Sequence, residues 1–279
     1  MYSTTLQGFE DKVVLISGAG RGQGANHARA LAEAGCDIVA LDTTTPIPDL
    51  YRVADRDDLD RTVKEVEARG RRALPVVADV RDEQQVKAAV QEALDTFGKI
   101  DVLINNAGMA AIDPIHEMRS HVLDAVIDIN LKGPMWLAKY VVPNMIGRRT
   151  GKIINISSAV IGSGHAMLSH YVASKHGVVG LTRSWATELS EFGIAVNGIA
   201  PATIKPDPDG GSYMVIGLAE ALGGISMAES YEHFSGLVNF EGWRAEMDDI
   251  TNAVLYLVSD NARVVTGHML HVDCGQATR

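Results

Sequence analysis

Short apolar runs alternate along the chain with longer stretches in which apolar residues recur every three or four positions. KVVLISG, from Lys12, is an apolar run rich in β-branched residues and ends at a glycine. GQGANHARALAEAG, from Gly22 to Gly35, places Ala28, Leu31 and Ala32 at helical spacing before a glycine stop. These patterns predict a strand, a tight loop and a helix. The alternation then repeats. DIVALD, ALPVVADV, IDVLINNAG, GKIINISS and IAVNGIA read as further strands. Between them lie helical patterns: DDLDRTVKEVEARG with Leu59, Val63 and Val66 on one face, EQQVKAAVQEALDTFG, a long irregular helix from Met118 to Met145, and one from His170 to Phe192. Strands apolar on both faces, separated by helices, predict an α/β fold with a parallel sheet between helical layers and right-handed crossovers.

Two segments break this rhythm. Residues 43–56, TTTPIPDLYRVADR, are longer than the few residues that usually join a strand to a helix, and two prolines suggest an ordered surface insertion. Residues 205–243 mix glycines with apolar and aromatic residues. They are expected to form a lid over a site or a helical excursion covering the sheet edge.

Composition narrows the possible partners. The 279 residues suffice for one core, so residues 1–279 are expected to form a single domain. A net charge of −10 disfavours nucleic acid or an anionic membrane, because either needs a basic face. No apolar run approaches the length of a bilayer span, and the polar start MYSTTLQGFEDK lacks a secretory plan, so a cytoplasmic location is expected. Cys36 and Cys274 lack metal-ligand spacing and are expected to be reduced thiols; the histidines are scattered, so no metal site is expected.

The residues between strand and helix carry the candidate chemistry. In SGAGRGQG, Gly18, Gly22 and Gly24 let backbone N–H groups and a helix start face a pyrophosphate. Asp42 ends the second strand, where a carboxylate accepts both ribose hydroxyls of an adenosine and repels a 2′-phosphate. ADV, with Asp79 and Val80, ends the third strand where an adenine could lie, and NNAG, with Asn106, Ala107 and Gly108, ends the fourth. In YVASK, Tyr171 and Lys175 stand one helical turn apart. A neighbouring ammonium would stabilise the phenolate and lower the tyrosine pKa, giving a usable acid and base. Ser158 ends the fifth strand and could bring a hydroxyl to the same point; Asn130 is a polar residue in an otherwise apolar helix.

Together these motifs resemble the short-chain dehydrogenase/reductase family, from about Lys12 to Gly275. SGAGRGQG is similar to its TGxxxGxG loop, NNAG matches its fourth-strand motif, and Asn130, Ser158, Tyr171 and Lys175 match its catalytic tetrad. VTGHMLHVDCG is similar to the family's last strand, which brings the expected Rossmann-type doubly wound sheet to about seven strands. Gln23, with the insertion after Asp42, resembles the carveol dehydrogenase branch, often associated with mycofactocin. The resemblance implies that Tyr171 exchanges the hydroxyl proton of an alcohol, that Ser158 hydrogen-bonds the developing carbonyl, and that Lys175 holds the nicotinamide ribose. The backbone near Asn130 would bind a water linking Lys175 to solvent. It also implies a homotetramer, with the long helices as candidate interfaces.

Some residues depart from the family pattern. Ser17 replaces the loop threonine and keeps a hydroxyl. PATIKP carries Ala202 and Pro206 where glycine and threonine are usual; Pro206 has neither a hydroxyl nor an N–H, leaving the backbone of Ile204 to meet the cofactor after Pro201. Arg21 holds a position where NADP-dependent relatives often carry a basic residue. Asp42 opposes that choice, since a carboxylate beside a phosphate is unfavourable, and Thr43 adds no cation. NAD is therefore the expected cofactor. From Pro206 to Trp243 there is no Lys or Arg, and the span carries Tyr213 and Met214 among its apolar residues; the loop before Tyr171 adds His165 and Met167. A pocket of this kind suits a small hydrophobic alcohol or ketone better than an anionic substrate. By resemblance the substrate would be a cyclic monoterpenol such as carveol or isopiperitenol. A 3-ketoacyl thioester reductase and a non-catalytic dinucleotide-binding regulator are the alternatives.

Overall fold

The computed structural model describes residues 5–205, 213–235 and 244–278. Seven strands follow the predicted apolar runs: β1 Val13–Ser17, β2 Asp37–Asp42, β3 Ala73–Val77, β4 Val102–Asn105, β5 Gly151–Ile156, β6 Ile194–Pro201 and β7 Met269–Val272. They form one sheet in the order β3-β2-β1-β4-β5-β6-β7, every neighbouring pair parallel. The chain leaves β1 towards β2 on one side and later returns to place β4 on the other. This reversal opens a crevice beyond the carboxyl ends of β1 and β4, the usual ligand position in such sheets.

The strands are apolar on both faces because both faces are covered. In β1, Val13 and Leu15 join a core with Val90 and Ala93 of α3 (Glu83–Phe97), Leu137 and Val141 of α5 (Gly133–Arg148), and Ala186 of α6 (Ser169–Leu189). Val14 and Ile16 join the opposite core, with Leu31 of α1 (Gly22–Glu33), Leu59 and Val63 of α2 (Arg56–Glu67), and Val254 and Leu257 of α9 (Met247–Val258). Alternate residues of one strand thus serve two cores, and a one-residue slip would exchange them. Pro75 lies inside β3, opposite Ala40. It is tolerated because β3 is an edge strand, where a missing N–H need not break an interior ladder.

The long helix expected from Met118 to Met145 is not continuous. It comprises α4 (Ser120–Ile127), a π-helical turn over Asp128–Lys132, and α5. Asn130 lies inside that turn, where the wider winding disrupts the regular ladder; such bulges recur at functional sites.

Residues 43–56 run from β2 to α2 as an irregular segment ending in a capping box. The Asp55 carboxylate accepts from Asp58 N–H at 2.9 Å, and Asp58 accepts from Asp55 N–H at 3.1 Å. This starts α2 at a defined point and fixes where the insertion ends. The segment after β6 contributes α7 (Tyr213–Ala221) and α8 (Met227–Ser235). No helix among the described residues is long and apolar enough to cross a membrane.

Candidate active site

The glycine loop joins β1 to α1 and is tied to β4 by Ser17. Its hydroxyl accepts N–H groups from Asn106 and Ala107, both at 3.1 Å. The Asn106 amide donates back to the carbonyls of Ser17, at 2.9 Å, and Gly18, at 3.1 Å. The hydroxyl retained where the family has threonine therefore holds two motifs together. Gly24 serves a different purpose from Gly18 and Gly22, which line the cleft. A Cβ at Gly24 would come within 2.0 Å of the Gly18 carbonyl oxygen, so this glycine permits the first turn of α1 to pack on the loop.

Asp42 closes the far side of the loop. Its carboxylate accepts from Gly20 N–H at 2.8 Å and from Thr43 N–H at 2.8 Å. Burial raises its pKa to about 6, opposed by these two N–H groups and by the Arg21 guanidinium. A carboxylate has about four acceptor positions, so both oxygens keep capacity for ribose hydroxyls. Arg21 does not project as a free cation: its guanidinium donates to the Arg52 carbonyl in the insertion. Thr43, Gln23, Asp79, Val80, Asn106, Ala107, Gly108, Pro201 and Ile204 line the same cleft. Arg81 holds the Asp79 carboxylate at 2.6 Å. The run of backbone N–H groups at a helix start, followed by a carboxylate at the end of β2, fits an NAD-type dinucleotide.

Ser158 and Tyr171 line the other end of this cleft. Burial pushes the Tyr171 phenol above its ordinary range, while a hydrogen bond with Ser158 pulls it down. Lys175 is buried one turn further along α6, its Nζ 5.6 Å from the Tyr171 ring centroid. The expected lowering of the tyrosine by this lysine is not what dominates here. The Lys175 ammonium donates to the Ile156 carbonyl at 2.9 Å, and burial lowers its own pKa to about 8. Desolvation is the largest cause at both groups.

Asn130 and Lys175 do not line the open cleft; they stand behind Gly108, where an added Cβ would lie 3.5 Å from Asn130 Oδ1 and 3.3 Å from Lys175 Nζ. Asn130 Oδ1 accepts from Met109 N–H at 2.8 Å, and its Nδ2 donates to the Met109 carbonyl at 2.8 Å and to Ser174 Oγ at 3.0 Å. The asparagine thereby fixes the chain after NNAG against α6.

His165 and Met214 line the cleft. Met167 does not: it has φ of 62° and is 39% exposed, and this left-handed turn carries its side chain outward. Tyr213 opens α7, but its side chain is outside the described residues, and Pro206 lies outside them altogether.

Several lining residues carry no local sequence signal. Ile47, Tyr51, Val53 and Ala54 bring the insertion into the cleft. The Tyr51 hydroxyl accepts from Ala110 N–H at 3.3 Å, and its ring packs on Gly217 of α7. Leu218 from α7 and Gln276 from the C-terminal turn complete the wall. The proline-bounded insertion was legible as an insertion, but only the fold shows that it reaches Ala110 and α7. Both thiols are free, and burial pushes Cys36 up to about 12, which keeps it protonated and unreactive.

Comparisons with known proteins agree with this geometry. Residues 12–211 match the family model for short chain dehydrogenases. The chain is 39% identical over 273 residues to (−)-trans-carveol dehydrogenase of Rhodococcus erythropolis, covering 95% of this chain and 97% of that protein. It is 34% identical over 264 residues to a 3-oxoacyl-[acyl-carrier-protein] reductase of Staphylococcus aureus, covering 95% and 97%. The crystal structure of carveol dehydrogenase from Mycobacterium avium in complex with NAD superimposes with a TM-score of 0.89 at 33% identity, covering 97% of this chain and 99% of that one. With the parallel sheet, the glycine loop and the Ser158, Tyr171 and Lys175 arrangement, these matches place the chain in the short-chain dehydrogenase family.

Proposed function

We propose that this protein is an NAD-dependent alcohol dehydrogenase that interconverts a small, hydrophobic secondary alcohol and its ketone. The observation that carries this reading is one continuous cleft with Asp42 at one end and Ser158 and Tyr171 at the other. When bound, NAD supplies a hydride acceptor at its nicotinamide. The chain's own residues do the rest. Tyr171 takes the hydroxyl proton from the alcohol, and the Ser158 hydroxyl holds the oxygen as it becomes a carbonyl. Lys175, held by Ile156, and Asn130, held by Met109, keep the buried side of the site in place.

Substrate class follows from the walls. Met214, Val215, Leu218, Ile47 and Val53 give an apolar enclosure suited to a neutral ring. Similarity to carveol dehydrogenases supports a cyclic monoterpenol such as carveol or isopiperitenol. The reductase reading is supported by the Staphylococcus relative but is opposed by Asp42, which disfavours a 2′-phosphate. We read the chain as a single dehydrogenase domain with an insertion at 43–56 and a substrate lid at 205–243, acting in the cytoplasm as a homotetramer. Purified protein given NAD and a panel of cyclic terpenols should generate reduced nicotinamide, seen by its absorbance. Turnover of an acetoacetyl thioester with NADPH, and of no terpenol, would instead establish the ketoreductase reading.

A further inference from the structure

The C-terminal turn Gln276–Thr278 places one polar side chain in the apolar substrate end of the cleft. Gln276 is 3% exposed, and its side-chain Oε1 has no hydrogen-bond partner among the described residues. The turn that carries it is firmly built. Asp273 accepts from Gly275 N–H at 3.0 Å through Oδ1 and from Ala277 N–H at 2.9 Å through Oδ2. Its carbonyl accepts from Gln276 N–H at 2.9 Å. Ala277 packs directly on Gly162, where an added Cβ would lie 2.4 Å from the Ala277 Cβ. That contact sets the turn against the short helical segment Ala159–Gly162, which begins immediately after Ser158.

Gln276 therefore belongs to the Ser158 end of the cleft rather than to the Asp42 end. A buried amide oxygen without a partner is destabilising relative to one that is satisfied. Of the other polar groups at this end, Ser158 is bonded to Tyr171 and the Tyr51 hydroxyl accepts from Ala110 N–H, while His165 Nε2 is a second buried polar atom with no partner among the described residues. We propose that Gln276 is a specificity-determining residue that hydrogen-bonds a second oxygen of the substrate, away from the reacting carbinol. The preferred substrate class is then a cyclic alcohol carrying a further hydroxyl or carbonyl, rather than a purely hydrocarbon ring with one hydroxyl. This rests on the alcohol dehydrogenase reading and specifies what its apolar pocket discriminates. Sites that hydrogen-bond a substrate oxygen reject analogues lacking it far more strongly than apolar walls reject an extra methylene.

The test compares cyclohexanol with the 1,2-, 1,3- and 1,4-cyclohexanediols as substrates with NAD, for the wild type, Gln276→Leu and Gln276→Glu. The wild type should favour one diol over cyclohexanol by about tenfold or more in kcat/KM. Gln276→Leu should collapse that ratio at least fivefold, through KM rather than kcat, and Gln276→Glu, which retains an acceptor, should restore much of it. Calorimetric titration of the favoured diol into the NADH-loaded protein should show the same order of affinities without turnover. Thermal unfolding of each variant establishes that it is folded, and the Gln276→Met variant replaces Gln276→Leu if the latter is not. A wild type that turns over cyclohexanol and every diol equally, or a ratio unchanged by losing the amide, would overturn the inference while leaving the dehydrogenase reading intact. Absence of any alcohol turnover would instead remove the reading on which it rests.

Discussion

Two residues with displaced protonation make opposite predictions in acid. His27 is fully buried, with Nδ1 2.8 Å from Thr251 Oγ1, and burial lowers its pKa from 6.5 to about 3. Between these values the unfolded chain binds a proton that the folded chain refuses, so its contribution to stability is lost as pH falls from 6.5 towards 3. At about pH 4.5 this loss is on the order of 3 kcal/mol. Asp42 works the other way: its pKa is raised to about 6, so its charged form is disfavoured in the folded state and acid relieves that cost. The His27→Gln variant isolates the first effect. Its unfolding free energy, measured by urea at pH 7 and pH 4.5, should fall by about 3 kcal/mol less than that of the wild type, and an equal fall would contradict a buried neutral His27. Asp42 also bears on cofactor choice. Asp42→Ala should reduce the preference for NAD over NADP, in kcat/KM, by about ten- to hundredfold, because it removes one carboxylate from beside the position of a 2′-phosphate.

At the scale of elements, the insertion and α7 form one wall. A Cβ on Gly217 would lie 2.4 Å from the Tyr51 Cβ, closer than any repacking of a rigid ring allows. Gly217→Ala must displace Tyr51 or α7, and overpacking of this kind costs about 1–3 kcal/mol. Its effects on stability and on terpenol KM should be non-additive with those of Tyr51→Ala, by about 0.5–3 kcal/mol in a double-mutant cycle, because the second change removes the obstacle. Strict additivity would mean that the two elements act independently. This coupling was not legible in the sequence. The strands and helices were, because β1 and α2 carry two-sided and one-sided apolar patterns that local periodicity reveals. The glycine loop, Asp42, Ser158 and the Tyr171 and Lys175 pair were legible as motifs for the same reason: each is a local spacing. Tyr51, Leu218 and Gln276 depend on which segments meet in space, and no local spacing encodes that. Met167 misled because a left-handed backbone angle, rather than its position beside Tyr171, sets its direction.

For the whole molecule, the sheet reversal between β1 and β4 brings a dinucleotide-type cradle and a Ser158 and Tyr171 pair into a single cleft. The proposed homotetramer predicts a mass of four 29.9 kDa chains by light scattering, with smaller species contradicting it. The central claim is that the cleft oxidises an alcohol by proton transfer to Tyr171 with NAD as hydride acceptor. The most direct measurement is NAD-dependent turnover of carveol by the wild type and by Tyr171→Phe, at equal protein concentration and with folding of both verified. The account predicts reduced nicotinamide from the wild type and a loss of about a thousandfold or more in kcat for the variant, given what a positioned acid–base group contributes. Comparable turnover by the two proteins would contradict it.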